Sequence, residues 1–119
     1  MSSLGLILTI ISALLVMFAN LLLRHAIGST GFSFSLAHFT KLLLTPTFIL
    51  GIILYFASMI VWFKVLATEA LSSCYPILVG LSFLGVTLGA AFFFKEALPL
   101  TKSAGIVIIL VGITLISRA

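Results

Sequence analysis

Charge is what this sequence has least of, and acid least of all. Its 119 residues include six Lys or Arg and two acidic residues, and the charged fraction is 7%. A soluble domain carries about 25%, so an ordinary water-solvated globule is excluded. Cysteine is nearly absent as well. The single Cys74 rules out an intramolecular disulfide and a Cys-based metal site, and it reads as a small packing hydrophobe. The basic residues are scattered singly, so a sequence pI near 9.7 does not amount to a nucleic-acid patch. No nucleophile–base pair, metal cluster or glycine-rich phosphate loop occurs in the chain. The sequence therefore offers no enzyme site and calls for no cofactor.

Apolar residues take the place of charge. They make up 63% of the chain, mean hydropathy is +1.47, and the expected solvent is lipid. A bilayer core about 30 Å thick takes roughly 20 apolar residues per helix. Four spans fit, over about 4–23, 47–67, 71–94 and 101–117. The expected fold class is an all-α membrane protein, a four-transmembrane-helix bundle in one domain over 1–119. The first run lacks a basic leader and a small-x-small cleavage site, so it reads as a retained span and not a signal peptide. Gly28, Ser29, Thr30 and Gly31 look like breakers after it. The stretch over about 32–44, with His38 and Lys41, reads either as an interfacial helix or as an ordered apolar loop. Thr68-Glu69-Ala70 is too short to separate the second and third spans, which are expected to be antiparallel neighbours. Arg24, Lys41, Lys95 and Lys102 fall on one side of the membrane and Lys64 and Arg118 on the other. Positive-inside bias weakly favours the first side as cytoplasmic.

A charge at the bilayer centre costs at least ~2.5–3.5 kcal/mol, and every charged residue here lies in a turn or near a span end. Lys64 is the deepest. It reads either as a snorkelling anchor or as a phosphate contact. Thr9, Ser12, Ala13, Val16, Asn20 and Arg24 share one face of the first span at three- and four-residue steps. Asn20 must find partners away from water, either in an interhelical hydrogen bond or on a substrate path. Arg24 suits a bidentate phosphate contact, or simply ends the span. Tyr55 and Trp62 are seven residues apart on the second span, and Trp62 also fits an aromatic belt. In the third span, Pro76 releases the Ser72 carbonyl and is expected to kink the helix. Tyr75 and Ser82 share a face there. Gly85 and Gly89, with Gly105 and Gly112 on the fourth span, permit close helix approach. They read as bundle packing or, on the fourth span above all, as a dimer seam. Both His25 and His38 read as interfacial.

In order and spacing these features resemble the drug/metabolite transporter superfamily, in its four-helix small multidrug resistance-like branch. The likeness is densest over 72–116, with the Tyr75-Pro76 pair, the Lys95-Glu96 turn and the Gly105–Gly112 helix. "LYFASMIVW" over 54–62 and "ANLLLRHA" over 19–26 add to it. Within the branch the chain is closest to aminoarabinose-phosphoundecaprenol flippase subunits and related lipid-linked sugar carriers. It departs from the drug exporters, which place a glutamate where Val16 stands and a tryptophan where Leu78 stands. The resemblance implies a flippase component of the bacterial inner membrane that translocates an undecaprenyl-phosphate-linked sugar or similar polyprenyl glycolipid. Its implied partners are membrane lipids and a homodimeric or heterodimeric four-helix subunit. Arg24, Lys41 and Lys64 are then candidates for the phosphodiester, and Asn20, Tyr55, Trp62, Tyr75 and Ser82 for the sugar path. Glu96 is a turn support or a coupling residue. The alternatives are an exporter of a small metabolite or cationic drug coupled through Glu69 or Glu96, and a non-transporting interaction subunit.

Overall fold

A computed structural model describes residues 2–31 and 33–118, with the side chain of Ser117 left aside. Phe32, at the start of the expected interfacial helix, lies outside the described residues, as do Met1 and Ala119. The helices are α1 (Ser3–Thr30), α2 (Leu36–Leu43), α3 (Pro46–Thr68), α4 (Leu71–Phe93) and α5 (Leu100–Arg118). Three of them, α1, α3 and α4, are long and apolar enough to cross a membrane, and α5 supplies a shorter fourth apolar helix. The chain is a multi-pass membrane protein.

The first helix runs seven residues beyond the expected end at Leu23, to Thr30. At ~1.5 Å per residue its 28 residues reach about 42 Å, well past the hydrocarbon core. Arg24-His25 therefore marks the membrane edge and not the helix end. Ser29 and Thr30, poor helix formers in isolation, donate their hydroxyls back to the Ala26 carbonyl at 3.0 and 2.6 Å. Gly31, at φ +79°, then turns the chain as only glycine does freely. The next segment is helical: Ser35 caps α2 by accepting from the His38 N–H at 3.3 Å. Leu42 of α2 packs with Ala26 and Phe48, which ties α2 to the protruding end of α1. Pro46 at the first position of α3 needs no backbone donor. Helix α4 runs on through Pro76.

Small residues decide which helices touch. Gly5, Ser12, Ala19 and Ala26 are buried at seven-residue steps on α1, and Gly51, Ser58 and Val65 follow the same step on α3. The seam lets the backbones come close: a Cβ on Gly51 would meet Leu23 at 2.9 Å and the Ala19 carbonyl at 3.3 Å. The Ser12 hydroxyl donates across it to the Ser58 carbonyl at 3.0 Å. On its other flank α1 meets α4, where Met17 fills the space at Gly85 and Leu21 the space at Gly89. Gly80 admits Ile109 and Ile113 of α5. The helices thus follow the contact order α3–α1–α4–α5, with α1 between its neighbours.

One expectation changes as a result, and the Gly85–Gly89 pair takes the bundle-packing reading. Helices α3 and α4, joined by two residues, do not pack along their length, because α1 is the principal neighbour of both. The Gly85–Gly89 pair serves packing within the chain, whereas Gly105 and Gly112 face open space. At one end lie Arg24, Lys41, Lys95, Glu96 and Lys102; at the other lie Lys64, Glu69 and Arg118. The Glu69 carboxylate lies against Gly5 and accepts from the Ser2 N–H at 3.2 Å and from the Ser2 hydroxyl. It anchors the start of α1, where the helix dipole favours an anion.

Replacing Gly51 by Leu is expected to destabilise the chain by about 1–3 kcal/mol in a detergent-unfolding titration. Val107→Leu, on the exposed face of α5, should stay within about 0.5 kcal/mol of wild type. Equal losses would contradict the seam.

Candidate functional site

The polar face of α1 divides between two jobs. Thr9, Ser12 and Ala13 are buried in helix packing, while Val16 and Asn20 face a groove that α4 completes with Tyr75, Ser82, Phe83 and Thr87. The groove has a volume of about 460 Å³. Asn20 donates to the Val16 carbonyl at 3.0 Å and accepts from the Tyr55 hydroxyl at 2.8 Å. The amide therefore ties α1 to α3 by an interhelical hydrogen bond and also stands on the groove wall. The Ser82 Oγ is shielded and has no hydrogen-bond partner among the described residues. A hydroxyl in that state costs free energy until something bonds it, and it lines the groove. Trp62 of α3 reaches Tyr75 of α4 with ring centroids 6.1 Å apart, tilted by 51°. Of the sequence-predicted residues, Asn20, Tyr75 and Ser82 thus line the groove, while Tyr55 and Trp62 contact Asn20 and Tyr75 without lining it.

The basic candidates do not converge. Arg24 stands one turn beyond Asn20, with its guanidinium 3.5 Å from the Glu96 carboxylate and 5.8 Å from the centre of the Phe94 ring. Side chains of this pair are 63% and 41% exposed, so the bridge adds at most about 1 kcal/mol. Lys95, in left-handed backbone at φ 54°, reverses the chain after α4. The Glu96 N–H then donates to the Ala90 carbonyl at 3.3 Å, which fixes where its side chain starts. Lys41 is exposed on α2 at the same end. Lys64 is exposed near the far end of α3, at the opposite end of the helices from Arg24, so one phosphate cannot touch both.

Sequence reasoning missed the Arg24–Glu96 pair and the Phe94 ring beneath it. They are separated by some seventy residues, and no local pattern announces them. It also missed that His25 stacks on Phe94 at 6.5 Å. Among the described residues no cluster of His, Cys, Asp or Glu could hold a metal ion. Chemically the groove offers neutral donors and acceptors beside aromatic rings, with no acid among its lining residues.

The uncharacterised protein y4nH of Sinorhizobium fredii is 31% identical over 118 residues, covering 99% of this chain and 98% of that protein. A probable 4-amino-4-deoxy-L-arabinose-phosphoundecaprenol flippase subunit, ArnE of Enterobacter sp. strain 638, is 37% identical over 70 residues, 59% of this chain and 64% of the relative. A probable ArnF subunit of the same kind from Photorhabdus laumondii is 40% identical over 70 residues, 57% of this chain and 55% of the relative. The chain thus spans less than two thirds of these named flippase subunits. No family model and no solved structure matches.

Tyr55→Phe removes one interhelical hydrogen bond and should cost about 0.6–2 kcal/mol of stability. A double-mutant cycle with Asn20→Leu checks the pairing. Coupling near zero would mean that the two side chains do not depend on each other.

Proposed function

The chain belongs to the small multidrug resistance-like family that holds the ArnE and ArnF flippase subunits, and we propose that it is a flippase component. Its substrate is an undecaprenyl-phosphate-linked sugar or a similar polyprenyl glycolipid, and its place is the bacterial inner membrane. The observation that carries the reading is the groove itself, with the Asn20 amide, the Tyr75 ring and the partnerless Ser82 hydroxyl on a membrane-spanning surface. A sugar crossing hydrocarbon loses its hydrogen bonds to water, at roughly 2–7 kcal/mol per unpaired polar group. Neutral donors and acceptors along the path replace some of those bonds. A phosphodiester needs a cation at the rim, which Arg24 provides, and the polyprenyl chain stays in lipid beside an open groove. A bare cation would want a buried carboxylate, and Glu69 and Glu96 both sit at the ends of the spans.

The open surfaces at Gly105 and Gly112 suit a second four-helix subunit, either a copy of this chain or a similar one, that covers the groove from the other side.

The test is reconstitution. Liposomes holding the chain, alone or with a second subunit, should flip a labelled polyprenyl-phosphate sugar. Ser82→Val and Asn20→Leu should each slow flipping about tenfold, the equivalent of one lost hydrogen bond. If neither preparation flips the lipid, the proposal fails. Full-rate flipping by well-inserted variants would instead remove the groove from the path.

A further inference from the structure

A second depression lies on the side of α1 that the groove leaves unused. Phe18, Leu22 and His25 recur at helical spacing on the face opposite Val16 and Asn20. With Phe93 of α4 and Phe94 just after it, they line an apolar slot of about 430 Å³. Beside it is a polar hollow of about 400 Å³, walled by Arg24, His25, Ser29 and Phe94. His25 and Phe94 belong to both, so slot and hollow adjoin across their stacked rings. This end of the molecule carries Arg24, Lys41, Lys95 and Lys102 against one acid, Glu96. That acid is the group the Arg24 guanidinium already meets.

We propose that slot and hollow together capture a polyprenyl phosphate before it enters the groove, with Glu96 as a built-in anion that the phosphate displaces. The phosphate sits at Arg24 and His25, and its first apolar units lie along Phe18, Leu22 and Phe93. Charge complementarity names the head: a guanidinium forks onto phosphate oxygens more strongly than onto a carboxylate held 3.5 Å away in a half-exposed pair. The slot names the tail: one apolar channel beneath one cationic hollow takes a single-chain lipid phosphate, whereas a phospholipid brings two chains. The identity of the lipid rests on the flippase reading; the displaceable Glu96 rests on the geometry alone.

The experiment is a binding titration of the full chain in phosphatidylcholine nanodiscs with a fluorescent polyprenyl phosphate. Glu96→Gln frees the guanidinium and should tighten binding about two- to fivefold, a gain that a misfolded variant cannot imitate. Arg24→Ala should weaken it about tenfold or more, with Arg24→Lys in between. Inorganic phosphate alone should bind far more weakly, and phosphatidylglycerol should compete poorly. Unchanged or weakened binding by Glu96→Gln overturns the proposal. Equal competition by phosphatidylglycerol, or equal binding of inorganic phosphate, overturns it too. A flipping assay on the same preparations separates the two readings. Flipping without the Glu96→Gln gain sinks the capture site alone, and the gain without flipping sinks the flippase reading alone.

Discussion

Everything in this fold depends on α1 coming close to two neighbours at once. Lipid supplies no hydrophobic force between helices, so association rests on packing and on interhelical hydrogen bonds. The chain meets that constraint with small residues on one flank of α1 and glycines on the facing flank of α4. Gly5, Ser12, Ala19 and Ala26 bring in α3, and Gly85 and Gly89 receive Met17 and Leu21. The tie across α3 is strengthened by the Ser12–Ser58 and Tyr55–Asn20 hydrogen bonds. With α1 in the middle, two faces of the α1–α4 pair stay open, and each becomes a depression with its own chemistry.

In the proposed reading the two faces divide an amphipathic ligand between them. One carries the Asn20 amide, the Tyr75 ring and the shielded Ser82 hydroxyl, which suits a sugar. The other carries aromatic and aliphatic carbon leading up to Arg24 and His25, which suits a lipid phosphate. Arg24 stands at the top of the helix pair between them, one turn beyond Asn20 and against Phe94 and Glu96. In the proposed reading its length and its always-charged fork let it serve both capture and passage.

Much of this was legible in the sequence, for identifiable reasons. Hydropathy marked the spans, and the cost of burying charge placed every Lys, Arg and Glu at the rims. Helical periodicity put Asn20 and Arg24 on one side of α1, and Tyr75 with Ser82 on one side of α4. What escaped was set by distant partners. The extension of α1 to Thr30 depends on hydroxyls that bond back to Ala26 and on Ala26 meeting Leu42 and Phe48. The glycines declared that some helix comes close but not which one, so Gly85 and Gly89 proved to hold α1. The short turn at Glu69 suggested paired neighbours, yet the small-residue seam drew α1 in between. The seven-residue step over Gly5, Ser12, Ala19 and Ala26 was there to be read and would have identified that seam.

The central claim is that the Asn20–Ser82 groove is the path of the head group. The most direct measurement is thiol labelling of Val79→Cys, an exposed wall position of that groove, in a Cys74→Ala background, using a membrane-impermeant maleimide on reconstituted protein. The account predicts labelling well above that of a lipid-facing Val107→Cys control, and protection when a polyprenyl-phosphate sugar is added. A Val79→Cys thiol as unreactive as the control, or one labelled at the same rate with and without that lipid, would contradict it.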